Sequence, residues 1–197
     1  MHRVTHILRT MSTAAATSAA PAAAPHANVV PVAALLGRWV GQGKGVYPTI
    51  NGFAYEEELT FTNTGRPFVS YTQRTWKAGT NRAVPMHEEN GFLRFVGGPS
   101  SGSKVEAMVT QCTGVQETLA GSWEENAPGE SATSFTISLS STGLQRTPSA
   151  KHPFVTTVAR RYTVDTGNNT LTAVVDMATE NTPELQNHLT ATLTKQN

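Results

Sequence analysis

The sequence predicts an all-β domain: nine or ten antiparallel strands in a meander, closed into a barrel or folded as a sandwich. Short stretches of strict apolar–polar alternation recur from residue 35 onward, the period of a half-buried strand. Clusters of Gly, Pro, Asn and Ser punctuate them with sound turn chemistry. No stretch holds a helical period beyond one turn around residues 31–36. Closure is favoured over a sandwich because it removes open sheet edges. A barrel of roughly eight to ten strands also leaves room for one small ligand.

The first strand lies in LLGRWVGQGKGVYPTI, where Gly37, Gly41 and Gly43 alternate around Trp39. That spacing permits a sharply bent strand with close backbone approach, and Trp39 is expected to plug one end of the barrel. A dinucleotide fingerprint is excluded, since it needs a helix and a later acid on a parallel strand. Strands are then expected at residues 55–63, 67–76, 91–98, 104–114, 115–125, 134–141, 154–165, 170–178 and 188–195, with turns at 63–67, 78–85, 97–104, 126–131 and 165–169. Within 104–112, Val105, Ala107 and Val109 share the inward face with Gln111, and Cys112 takes the opposite parity as a packing residue. In 170–178, Leu171, Ala173 and Val175 share a face with Met177. From alternation alone, ordinary core filling, with Gln111 bonded to backbone, accounts for Gln111 and Met177 better than a pocket does. Glu56, Glu57 and Glu58 read as a solvated acidic face.

Composition narrows the function. Fifteen basic against 14 acidic residues give a net charge of +1 with no basic block, so nucleic-acid binding has no support. No apolar run is long enough to span a bilayer. Cys112 is the single cysteine, which rules out an internal disulfide and fits a reducing compartment, the cytoplasm first. Residues 1–34 are rich in Ala, Ser, Thr and Pro, and no acid precedes Glu56. They read as a disordered tail, with initiation at Met11 as one option, or as a mitochondrial transit segment carrying Arg3 and Arg9. The barrel domain is expected over 35–197.

GRWVGQG followed by YPTI, then FAYEEELTF, GRPFVSYTQRTW, PMHEENGFLR, VEAMVTQCTGVQE, PSAKHPFVTTVARRY and PELQNHLTATL, resemble the motifs of the nitrobindin family in order and at nearly the expected spacing. The resemblance implies a single ten-stranded antiparallel barrel, similar in shape to fatty-acid-binding proteins, that holds ferric haem b. It further implies isomerisation of peroxynitrite to nitrate and reversible binding of nitric oxide, by a monomer or homodimer with no nucleic-acid or membrane partner.

By the same resemblance His188 is the iron ligand. Met86, His87, Gln111 and Met177 line the pocket, Thr49 neighbours the haem or its ligand, and Lys151 pairs with a propionate. His87 is implied as a pocket wall and not as a second iron ligand. Glu184 is an insertion against the family pattern, expected in a loop before the last strand. Alternation sets His188 on the face of Thr190 and Thr192, opposite Leu189, Ala191 and Leu193, so ligation requires a loop–strand junction where parity lapses. Two readings compete with the isomerase: a haem carrier or sensor of nitric oxide, and a haem-free barrel for a fatty acid or other apolar ligand.

Overall fold

Alternation becomes strand wherever one face can be buried, and the computed structural model, which describes residues 23–126 and 134–197, carries that through the whole domain. A 3₁₀ turn, Val30–Leu35, precedes ten strands: β1 Gly37–Tyr47, β2 Ile50–Thr62, β3 Phe68–Lys77, β4 Pro85–Phe95, β5 Lys104–Gln111, β6 Val115–Glu125, β7 Ser134–Arg146, β8 Val155–Asp165, β9 Thr170–Thr179 and β10 Thr182–Gln196. Each pairs antiparallel with the next, and β10 closes on β1. Closure satisfies the hydrogen bonds of both would-be edge strands.

One end is packed solid. Trp39, Phe61, Tyr71, Phe95, Trp123, Ile137 and Leu171 are almost wholly buried there. The 3₁₀ turn seals this end as Val29, Val32 and Leu35 bury beside Trp39, so the core begins before the boundary read at residue 35. The Trp39 indole Nε1 donates to the Leu35 carbonyl at 2.7 Å. Lys195 lies 5.2 Å above the Trp39 ring centroid, and its Nζ donates to the Ala34 carbonyl at 2.7 Å. Trp39 is thus the plug that the sequence predicts.

The glycines of β1 make room on the other side. A Cβ on Gly43 would stand 2.2 Å from Tyr55 Cζ, and one on Gly45 would stand 2.1 Å from Phe53 Cζ. Their absence lets these two β2 rings lie across the β1 backbone.

Several expectations shift. Strands β4, β7 and β10 run longer than alternation alone indicated. Glu184 is not in a loop: it lies within β10, where the β9 register slips between Thr182 and Gln186. Glu57 turns inward and is 1% exposed, because strand parity separates it from Glu56 and Glu58. The turn expected at 126–131 falls, beyond Asn126, outside the described residues. So do residues 1–22 of the expected tail or transit segment, with Arg3, Arg9 and Met11.

Candidate functional site

Where the aromatic layer ends, the barrel opens into a cavity of about 890 Å³, within the size range of small-molecule and cofactor pockets. Its mouth carries the β5–β6 turn and the connection from β7 to β8. Its walls come from every strand but β1, and its floor is polar.

His188 stands on the β10 wall. Asn187 pairs with Asp176 and Leu189 pairs with Val175; His188 is therefore the extra residue of a β-bulge. The bulge cancels the parity of the strand, and His188 and Leu189 both line the cavity. A bulge inside the strand thus does what the sequence assigned to a loop–strand junction.

The His188 ring is held on three sides. Nδ1 lies 3.1 Å from the Val46 carbonyl oxygen. A carbonyl only accepts, so Nδ1 carries the proton and Nε2 keeps its lone pair. The Tyr47 ring meets the imidazole edge-on, with centroids 5.6 Å apart, and Phe53 does so at 6.5 Å. Burial lowers the His188 pKa, partly offset by the bond to Val46, which favours the neutral imidazole that a metal requires.

Strand β5 lies diametrically opposite β10, and its wall together with that of β4 presents His87 and Gln111. Both are anchored from behind. His87 Nε2 lies 3.2 Å from Glu89 Oε2, and Gln111 Nε2 donates to Glu117 Oε1. Arg160 on β8 joins the two carboxylates: Nη1 and Nη2 reach Glu89, at 2.9 Å for Nη2, while Nε and Nη2 reach Glu117 at 2.8 and 2.7 Å. Tyr71 donates its hydroxyl to Glu89. Burial alone would raise the Glu89 pKa, but the Arg160 charge and the bonds from His87 and Arg160 hold it well below the carboxylate range. Deeper still, Glu57 accepts from Gln73 Nε2, its Oε2 has no partner, and burial pushes its pKa up to about 7.

Of the residues predicted for the site, the cavity brings together His188, Met86, His87, Gln111, Lys151 and Met177. Lys151 is exposed at the mouth, in the β7–β8 connection. Thr49 is exposed in the β1–β2 turn and is not among the lining residues. Cys112 departs from its expected packing role: β5 ends at Gln111, parity ends with it, and the thiol lines the cavity 3.7 Å from His87 Nδ1. Sequence reasoning missed the Glu89–Arg160–Glu117 cluster. Its available signal was inward parity, which puts Glu89 in register with both Gln73 and Gln111.

Comparison with known proteins agrees with this architecture. Residues 28–195 match the family described as THAP4-like, heme-binding beta-barrel domain. The chain belongs to this family, the nitrobindins. Peroxynitrite isomerase 1 of Mycolicibacterium paratuberculosis is 36% identical over 171 residues, covering 87% of this chain and 96% of that protein. Peroxynitrite isomerase 1 of Rhodococcus jostii is 39% identical over 175 residues, 85% of this chain and 88% of that protein. The crystal structure of Rv2717c from M. tuberculosis superposes with a TM-score of 0.75 at 32% identity, covering 88% of this chain and all of that one.

The residues present fit a haem. An imidazole with a free Nε2 faces a cavity whose walls include Phe53, Met86, Val158, Val175, Met177 and Leu189, and a single proximal histidine suffices for haem iron. His87 Nε2 is already engaged by Glu89, which suits a wall residue and not a second axial ligand. Among the described residues no group of three or more His, Cys, Asp or Glu could hold a bare metal ion.

Proposed function

We propose that this protein binds ferric haem b through His188 and isomerises peroxynitrite to nitrate. The observation that carries the proposal is His188 itself, an imidazole that lines the cavity and whose Nδ1 proton is committed to Val46, leaving Nε2 its lone pair. The names of the related isomerases supply the reaction. When bound, the haem supplies the iron centre at which peroxynitrite rearranges.

The chain's own residues do the rest. Val46 fixes the His188 tautomer, and Tyr47 and Phe53 set its ring plane. Apolar walls exclude water and confine small reactive fragments until they recombine. Lys151 at the mouth would pair with a haem propionate, weakly because solvent screens an exposed ion pair. Rearrangement of the peroxynitrite anion moves no proton, and its conjugate acid gives one proton to water as nitrate forms, so no side-chain acid or base is required. The same site would bind nitric oxide. A fatty acid fits less well: the one buried guanidinium of the floor is already gripped by Glu89 and Glu117 and has no free fork for another carboxylate.

Haemin titrated into the purified protein, followed by absorbance, tests the reading. One saturable Soret band at one haem per chain is expected, lost or shifted in His188→Ala. The loaded protein should then speed peroxynitrite decay and raise the ratio of nitrate to nitrite. A band indifferent to residue 188 would overturn the assignment of the ligand. A loaded protein without effect on peroxynitrite would leave a nitric oxide carrier.

A further inference from the structure

The floor of the cavity carries more negative than positive charge. Glu117 only accepts: Oε1 from Gln111 and Arg160, Oε2 from Arg160. Glu89 likewise only accepts, from Tyr71, His87 and Arg160. Both are therefore carboxylates, and Arg160 is the single cation between them. Gln73 and Thr75 on β3 and Gln111 on β5 add no charge. His87 lies between Glu89 on its Nε2 side and the Cys112 thiol on its Nδ1 side and adds no negative charge. Glu57, behind Gln73, contributes nothing while protonated and a further negative charge once ionised. The basic groups Lys151 and Arg146 sit at the mouth, and Arg146 is spent on the Val155 carbonyl and the Phe154 ring.

We infer that Glu89 and Glu117, clamped on Arg160, make this cavity selective for uncharged small ligands over anions. The inference rests on the haem reading above and deepens it: the site takes nitric oxide, or peroxynitrite as its conjugate acid, in preference to the anion. Water-excluding walls give the floor charge its reach, whereas the cations of the mouth are screened by salt. A net unit charge at about 8–12 Å and an effective dielectric of about 20 changes affinity by roughly ten- to thirtyfold. No oxidation or bond exchange is involved in the selection.

The test uses haem-loaded protein with azide as anionic probe and nitric oxide as neutral probe, both read from the Soret band. Glu117→Gln removes one floor charge while keeping an acceptor for Arg160. Glu89→Gln likewise removes one floor charge while keeping an acceptor for Tyr71 and Arg160, and serves where the first variant does not fold. Either substitution is expected to tighten azide about tenfold and to leave nitric oxide within about twofold. Equal changes for both probes would mean altered packing, and unchanged azide affinity would mean the floor charge is not felt; each overturns the inference. Failure of the wild-type protein to form a Soret band would instead sink the haem reading, before either probe is added.

Discussion

Glu57 is a buried carboxyl with Oε1 bonded to Gln73 and Oε2 without a hydrogen-bond partner among the described residues. Burial raises its pKa from the usual 4.5 to about 7, so the fold favours its protonated form. The consequence for stability has a definite sign. Below about pH 4.5 the group is protonated folded or unfolded and costs nothing; between 4.5 and 7 the unfolded chain releases the proton first, and stability falls. Above about pH 7 the loss levels off at about 3 kcal/mol. Glu57→Gln keeps the acceptor for Gln73 and removes the titration. Urea unfolding at pH 5 and pH 8 should show the variant gaining on wild type by a further 2–3 kcal/mol or so at the higher pH. Equal gains at both values would mean that Glu57 ionises normally. His188 follows the same residue-scale logic with the opposite sign, since desolvation lowers its pKa and favours the neutral ring that a metal requires.

At the scale of elements, β1 and β10 decide where that imidazole points. Gly45 of β1 pairs with Leu189 of β10, and Gly45 also yields its side-chain space to Phe53, one of the rings that flank His188. Gly45→Ala would set a methyl 2.1 Å from Phe53 Cζ, so the ring must leave its place. A loss of about 1–3 kcal/mol in stability is expected from the overpacking, with haem affinity down at least about tenfold in the same titration. Gly52→Ala, whose nearest neighbour would be 3.7 Å away, is the control and should change neither. The elements explain what sequence could and could not reveal. Alternation legibly put Gln111 and Met177 inward, and turn chemistry marked most strand ends. It misplaced His188, because a bulge inserts a residue that no periodicity announces. It misjudged Cys112, because parity holds only while the strand lasts. It left Glu57, Glu89, Glu117 and Arg160 unconnected, because they sit on four strands and meet only when the barrel closes.

On the scale of the whole molecule, the barrel is two half-volumes sharing one wall. The end around Trp39 and Trp123 is filled to exclude water; the other end is left hollow, and the cluster of Arg160 with its carboxylates lies between them. Such a division assigns stability to one half and ligand binding to the other, which can be measured. Leu171 is wholly buried in the packed half and does not line the cavity. Leu171→Ala should cost about 2–5 kcal/mol in unfolding free energy while leaving the haem titration unchanged. Haem should add to the stability of wild type and of this variant by the same amount, about 2.7 kcal/mol at a free concentration one hundredfold above its dissociation constant. In His188→Ala the increment should disappear while the apo-protein keeps its unfolding midpoint. If Leu171→Ala weakened haem binding as well, the wall would be transmitting strain from the packed half, and the bulge at His188 would owe its geometry to the whole barrel and not to its immediate neighbours.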